Sequence, residues 1–218
     1  MALSSSNYVI SGKTGYHNGY TVNTGYTVDA CILNRFISVL DTAMSAYNRV
    51  FAFRVDLRLP AGLILTPEME HRLIGKFIDS FKAKVRSNRE AALKLNPNAH
   101  NTVVRYCWGR EVNAQRVLHY HFMFFLNRDA FNSLGSFKAA SGNTYTRLVE
   151  AWASALGIAV EDAAGLVHVT VGAMFHLDAN STNYAEIKNQ LVHNLSYMAK
   201  EETKVLGCGL HRYGSSRK

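Results

Sequence analysis

The sequence predicts an α+β protein, in which amphipathic helices accompany an antiparallel hairpin of strands. Two segments rich in aromatic residues, 102–112 and 118–126, lie on either side of a short loop, as the strands of a hairpin do. A third segment, 50–59, alternates apolar with charged side chains, the pattern of a strand that has one buried and one charged face. Four further stretches carry apolar residues at helical spacing, which favours helices packed against these strands.

The chain reads as one domain preceded by an arm. Residues 1–28 are rich in Ser, Gly, Tyr, Asn and Thr and contain a Gly-Tyr-Thr-Val near-repeat, so we expect a flexible arm or a loose hairpin there. No linker divides residues 29–218, and this length is ample for one large core. We therefore predict a single domain over residues 29–218.

The helices have recognisable boundaries. Apolar spacing predicts a first helix over residues 29–47 and a third over 143–156. Thr66 and Pro67 suit the cap and first position of the second helix, which runs toward residue 97. A last helix begins near Asn183, where Asn183 and Glu186 have capping-box spacing. A strand over residues 166–171 precedes it.

One hairpin register satisfies both faces of the two aromatic strands. If Glu111 lies opposite His119, then Gly109 lies opposite His121 and leaves space on that face. On the other face the same register forms two cross-strand aromatic pairs, each contributing roughly 0.2–1 kcal/mol. These pairs are Trp108 with Phe122 and Tyr106 with Phe124.

This register predicts a metal site. His119 and His121 are two residues apart on one strand and so point to the same side of it. Glu111 is the natural third ligand, and two nitrogens with one oxygen accept Mg²⁺ or Mn²⁺ when phosphate oxygens complete the coordination, although Zn²⁺ also suits them. The alternative for Glu111 is an ion pair with one of the nearby arginines, which are Arg105, Arg110 and Arg116.

Tyr197 is the candidate nucleophile of the last helix. Helical geometry places it about a third of a turn from the apolar stripe, on the face that carries His193 and Lys200. A phenol with a pKa near 10 is a poor nucleophile near neutral pH. A metal ion and the ammonium of Lys200 would polarise a phosphate and help the phenol to lose its proton.

Composition indicates an anionic partner. The chain carries a net charge of +8 and a pI of about 9.5, which favours nucleic acid, although a merely basic protein is the alternative. The three unpaired cysteines, the lack of a signal peptide and the lack of an apolar span of ~20 residues predict a cytoplasmic protein without a membrane partner. Predicted DNA contacts are Arg54, Arg58, Arg105, His193 and Arg212, with Arg217 and Lys218 in a basic tail.

The ordered set Glu111, His119-Tyr120-His121 and Tyr197-x-x-Lys200 resembles the HUH endonuclease superfamily, in which two histidines flank a bulky residue. The wider sequence, over roughly residues 50–218, resembles the inovirus-type replication initiation proteins, a family that also includes the prophage proteins YagK and YfjJ. The resemblance implies a central antiparallel β-sheet flanked by helices. It is carried by residues 108–111, 119–127, 195–200 and 212–217.

The resemblance also implies an activity. We expect a metal-dependent nickase that cuts single-stranded or extruded origin DNA, forms a 5′-phosphotyrosine through Tyr197 and initiates rolling-circle replication in the cytoplasm of a bacterial host. His193 and Glu201 stand where some relatives carry a second tyrosine, so we expect one nucleophile. No Gly-x-x-x-x-Gly-Lys motif is present, so helicase and polymerase would come from the host. Alternatives are a DNA-binding regulator that does not cleave and a zinc hydrolase that does not use Tyr197.

Overall fold

The fold is described from a computed structural model, which covers residues 9–10, 15–113, 117–137, 142–204 and 211–217. The helices and strands in chain order are β1 (Val9–Ile10), β2 (Tyr16–His17), β3 (Tyr20–Thr21), β4 (Val28–Asp29), α1 (Ala30–Ala46), β5 (Arg49–Arg58), α2 (Pro67–Leu95), β6 (Arg105–Val112), β7 (Leu118–Asn127), α3 (Thr144–Leu156), α4 (Val160–Ala163), a 3₁₀ turn (Ala164–Leu166), β8 (Val167–Asp178), α5 (Tyr184–Met198) and β9 (Tyr213–Ser215).

A five-stranded antiparallel sheet is the centre of the fold. Its strand order is β8-β5-β7-β6-β9, and helices cover both of its faces. This confirms the predicted α+β class with a central antiparallel sheet. Because side chains alternate along each strand, one face packs against α2 and α3 and the other against α1 and α5. The charged positions of β5 lie on the α1/α5 face, at the end where apolar residues give way to the polar groups of the site.

Helix α2 begins and packs as its sequence predicts. The Thr66 hydroxyl accepts a hydrogen bond from Met69 N at 3.3 Å, and Pro67 occupies the first turn. The apolar stripe of the helix is buried against the aromatic face of the sheet. The stripe consists of Leu73, Ile74, Phe77, Ile78, Phe81 and Val85.

Among the residues that the structure covers, no helix combines the length and the apolar character needed to cross a membrane.

Three local expectations differ from the structure. The first hairpin strand begins at Arg105 rather than 102, because the Thr102 hydroxyl instead accepts from Asn127 N at 2.8 Å. Strand β8 continues past 171 to Asp178, because an irregularity in its pairing with β5 absorbs Gly172, whose φ is +73°. The prediction of a capping box at Asn183 is wrong. The Asn183 side chain accepts a hydrogen bond from Ser181 Oγ and makes no cap hydrogen bond to the helix.

The described part of the N-terminal segment packs on α5. Thr21 N donates to Asn189 Oδ1 and Asn23 N donates to Ser196 Oγ, each at 2.8 Å, and Val22 is buried between them. Asp29 caps α1 by accepting from Ile32 N at 3.0 Å. The segment therefore runs along α5 from Asn189 to the C-terminal end of the helix, where Asp29 N donates to Ala199 O at 2.9 Å. The domain boundary at residue 29 stays a prediction.

A candidate metal centre beside Tyr197

The hairpin adopts the predicted register. Glu111 lies opposite His119 and Gly109 opposite His121, where β6 pairs with β7. One donor atom from each of Glu111, His119 and His121 lies within 4.8 Å of the other two. Two imidazole nitrogens and one carboxylate oxygen therefore converge, and this group can hold a metal ion.

A carboxylate that the sequence had not singled out holds His121 in a metal-binding orientation. Asp56 lies opposite His121 in the pairing of β5 with β7, and its Oδ1 is 2.6 Å from His121 Nδ1. With Nδ1 bonded to Asp56, Nε2 is the ring nitrogen that can bind a cation. It lies at hydrogen-bond distance, 3.2 Å, from Glu111 Oε2, so a metal ion would take the place of the hydrogen bond between these two atoms. Arg54 donates to both oxygens of Asp56 at 2.9 and 3.2 Å. Arg54 Nη2 also lies 2.8 Å from Nδ1. Because two N–H donors cannot form a hydrogen bond with each other, we infer that Nδ1 carries a proton and donates it in a hydrogen bond to Asp56.

His119 is held in the same way by a backbone carbonyl. Its Nδ1 lies 3.4 Å from Val117 O, and its Nε2 faces Glu111 Oε2 at 3.8 Å. Burial and the neighbouring His121 lower the pKa of His119 below its ordinary value. The neutral ring is the form that binds a metal, so the environment of His119 suits a ligand.

Glu111 is ionised and fully buried. Burial raises the pKa of this carboxyl, but His121 and the ammonium groups of Lys204 and Lys200 outweigh burial, and the pKa lies well below its usual range. Lys200 Nζ is 2.8 Å from Oε2 and Lys204 Nζ is 3.5 Å from Oε1. The predicted alternative with Arg110 is wrong, because that side chain pairs with Glu70. Arg116 lies outside the described residues.

Lys200 reaches the site by a different route from the one predicted. Helix α5 ends at Met198, so Lys200 does not continue the helical face of Tyr197. It forms a bridge with Val28 instead, which directs its buried side chain toward Glu111. Its Nζ lies 3.7 Å from the centroid of the Tyr197 ring, so the expected proximity holds although the expected geometry does not.

Tyr197 lies beside the candidate ligands. Its ring centroid is 5.7 Å from that of His121, and the Arg54 guanidinium carbon lies 4.7 Å from it. The Tyr26 ring packs edge-on at 5.5 Å. Tyr197 is half-buried, so one side of the ring contacts the site while the residue keeps access to solvent. Two cations and two aromatic rings thus hold the phenol next to the candidate metal centre.

The other predicted DNA contacts lie at different distances from this centre. Arg58 is exposed and lies opposite His119, and His193 is exposed on α5, one turn before Tyr197. The structure does not bring Arg105 to the site, because that guanidinium packs over the Tyr47 ring at 5.7 Å, toward the other end of the strand. Arg212 lies 3.7 Å from the Asp29 carboxylate. Lys218 lies outside the described residues.

Lys204 and Gly109 complete the buried side of the site. Burial lowers the pKa of Lys204 to about 8, although Glu111 favours the charged form. Its Nζ donates to Met198 O at 2.8 Å. A Cβ on Gly109 would lie 3.0 Å from Met198 O and 3.4 Å from Lys204 Nζ. The space that the sequence predicts at Gly109 is therefore filled by the end of α5 and by Lys204.

Removing the Asp56 charge is expected to weaken metal binding without removing a ligand. In Asp56→Asn the Nδ1 proton of His121 loses its anionic acceptor, and such partners typically contribute 10–100-fold to metal affinity. Titration calorimetry with Mn²⁺ should show a loss of about that size. The control is Asp41→Asn, since Asp41 is an exposed acid that pairs with Lys188 at 2.8 Å. Equal Mn²⁺ affinity in the two variants would contradict the role of Asp56.

Removing the Glu111 charge is expected to destabilise the fold in the absence of metal. Glu111→Gln leaves Lys200 and Lys204 buried without a carboxylate, and breaking a buried ion pair by removing one partner costs about 3–5 kcal/mol. Urea unfolding in EDTA measures the change in the free energy of unfolding. The exposed Glu90→Gln variant should change it by less than about 0.5 kcal/mol. A similarly small change in Glu111→Gln would show that the lysines do not depend on this carboxylate.

Fold and site together define an α+β protein that carries a Glu-His-His candidate metal centre and an adjacent tyrosine on an antiparallel sheet. The chain belongs to the YagK/YfjJ C-terminal domain family, whose model matches residues 13–216. It is 27% identical to the uncharacterized protein YfjJ of Escherichia coli K12 over 192 residues, which cover 84% of this chain and 92% of that protein. It is 29% identical to the uncharacterized protein YagK of the same strain over 177 residues, 78% of this chain and 85% of that protein. No solved structure matches the chain.

Proposed function

We propose that this protein is a single-tyrosine, metal-dependent DNA nickase and strand transferase of the HUH endonuclease superfamily that initiates rolling-circle replication. One observation carries the proposal. The ring of Tyr197 lies 5.7 Å from that of His121 and within 4.7 Å of two cationic groups, beside three convergent metal-ligating side chains. A phenol in such surroundings suits attack on a phosphodiester, whose negative charge the cations and a metal ion would neutralise.

The donor set supports Mn²⁺ or Mg²⁺ as the cofactor. Both histidines direct Nε2 toward Glu111 and engage Nδ1 with an oxygen, so the tautomers suit coordination. With three protein ligands, open positions remain for phosphate oxygens. When bound, the ion supplies Lewis-acid polarisation of the scissile phosphate.

The protein groups supply the nucleophile and the positive charge. The oxygen of Tyr197 attacks phosphorus, the bond between phosphorus and the 3′-oxygen breaks, and the 3′-oxygen leaves as a hydroxyl once protonated. The phenol proton passes to solvent or to a base in the site. The 5′-phosphate stays on Tyr197, and the reverse attack by a 3′-hydroxyl rejoins the strand. Lys200 and Arg54 neutralise charge on the phosphate as the bond forms.

Charge supports a DNA substrate, and the organism of the two relatives supports a bacterial host. The net charge of +8 favours a polyanion, and the two relatives are proteins of Escherichia coli. A nick in single-stranded or extruded origin DNA would leave a 3′-hydroxyl for a host polymerase, with a host helicase separating the strands.

A covalent-adduct assay tests the function. The protein is incubated with single-stranded origin DNA that is labelled at its 3′ end, and with Mn²⁺, and the mixture is run on a denaturing gel. We expect a labelled band at the mass of protein plus DNA that depends on Mn²⁺ and disappears with EDTA. Release of free cut DNA with no covalent band would contradict the tyrosine mechanism.

A second function is a DNA-binding regulator that does not cleave. It is favoured by the ammonium groups of Lys200 and Lys204, which satisfy both oxygens of Glu111 without a metal ion. Binding of origin DNA with no adduct and no cut strand, in Mn²⁺ or Mg²⁺, would support this function over the nickase.

A further inference from the structure

A basic groove lies at the edge of the sheet, away from the candidate metal centre. It is a cavity of about 790 Å³ between α2 and the strands β6 and β9, and we call it the edge groove. Four cationic side chains line it, and none of the described residues that line it is acidic. These side chains are Lys82, Arg86, Arg105 and Arg217.

Two of the groove cations, Arg86 and Arg105, have unused hydrogen-bonding capacity among the described residues. Within the part of the chain that the structure covers, Arg86 makes only one ion-pair contact, a long one of 3.9 Å with Glu90, and both side chains are largely exposed. The Nη1 atom of Arg105 is buried and has no hydrogen-bond partner among the described residues. A buried guanidinium nitrogen without an acceptor is costly, and a phosphate oxygen would satisfy it.

An aromatic residue joins the groove to a second, more apolar cavity. Tyr106 is half-buried, and Lys82 Nζ lies 5.1 Å from its ring centroid. Tyr106 and Arg217 also line a neighbouring cavity of about 420 Å³, whose walls include Ile78 and Trp108. The two cavities share Tyr106 and Arg217, so cationic and aromatic or apolar side chains lie side by side there, the combination that binds the phosphates and bases of an unpaired strand.

We propose that the edge groove binds a single DNA strand, with its phosphates on the four cations and a base against Tyr106. The choice of DNA rests on the proposed function, whereas the choice of an unpaired strand rests on the aromatic and apolar walls, since the bases of a duplex are stacked inside it.

Strand β6 connects the groove to the candidate metal centre. Tyr106 and Glu111 are five residues apart on this strand, a separation of about 17 Å at 3.3–3.4 Å per residue. Because these two side chains point to opposite faces of the sheet, one strand of DNA would have to pass round the sheet edge to reach from the groove to the phosphate that Tyr197 attacks.

The test compares two double variants of the same helix. Lys82→Gln/Arg86→Gln removes two groove cations, and Lys76→Gln/Lys94→Gln removes two exposed lysines of α2 that do not line the groove. Binding of a fluorescent 30-nucleotide single strand is measured in EDTA, so that no cleavage intervenes. The groove variant should bind roughly tenfold more weakly than the control variant. Its plot of log affinity against log salt should be less steep by about 1.4, at about 0.7 per phosphate contact.

The outcomes separate this proposal from the proposed function. If the two double variants bind the single strand with equal affinity, the proposal that the edge groove binds DNA is refuted, even if the protein forms the tyrosine adduct. A groove-specific loss in a protein that forms no adduct would support the groove and refute the nickase. Cross-linking of a strand with 5-iodouracil bases should label the peptide that contains Tyr106. Cross-links elsewhere only, or an equal groove effect with duplex DNA, would refute binding of an unpaired strand.

Discussion

Tyr197→Phe is expected to abolish the covalent adduct while leaving the fold and DNA binding unchanged. The substitution removes only the phenolic oxygen. The ring contacts with Arg54 at 4.7 Å, Lys200 at 3.7 Å and the His121 ring persist in phenylalanine, which loses only the hydrogen bond between the phenol and Lys200. The denaturing-gel assay measures the adduct, and anisotropy with the same oligonucleotide measures binding. Mass spectrometry of the wild-type adduct should place the nucleotide on Tyr197.

Two further variants make the result specific. Tyr26→Phe removes the phenol whose ring packs 5.5 Å from Tyr197, and it should form the adduct normally. Lys200→Ala keeps the nucleophile and should slow adduct formation by about 10²–10⁴-fold, the usual contribution of charge or proton-transfer assistance. If the Tyr197→Phe protein forms an adduct, or the Tyr26→Phe protein does not, the nucleophile is a residue other than Tyr197. The assignment of the metal centre would be unaffected by that result.

His121→Ala is expected to abolish both metal binding and metal-dependent cleavage. The substitution removes the ligand that Asp56 orients at 2.6 Å and that faces Glu111 at 3.2 Å, so only two donors remain. Titration calorimetry with Mn²⁺ should show no binding at concentrations that saturate the wild type, and the gel assay should show no adduct.

The matched control is His193→Ala, a histidine of α5 that is exposed and outside the ligand group. It should bind Mn²⁺ as the wild type does. Because His121 is buried, thermal unfolding in EDTA must show that the His121→Ala protein is folded at the assay temperature. Undiminished cleavage by folded His121→Ala protein would refute the metal assignment.

The sequence by itself determined the hairpin and the ligand group. Side chains alternate along a strand, so His119 and His121 had to share a face, and a single register placed Glu111 beside them and aromatic pairs behind them. The cap and stripe of α2 were equally readable, because capping and helical periodicity depend on residues a few positions apart. These features are local, and local sequence is sufficient to predict them.

Only the tertiary structure decided what surrounds these ligands. Asp56 reaches His121 because β5 pairs with β7, and Tyr26 reaches Tyr197 because the N-terminal segment packs on α5. Alternation had placed Arg105 on the correct face, but it does not specify the position along that face, so Arg105 lies in the edge groove.

The lysines show the same division. The spacing of Tyr197 and Lys200 predicted that they meet, yet the helix ends at Met198 and the bridge to Val28 directs the Lys200 side chain. Lys204 carries no signal in the sequence, because a loop has no periodicity to indicate where its side chains point. Contacts between residues distant along the chain depend on how the elements pack, and packing is decided by the whole fold.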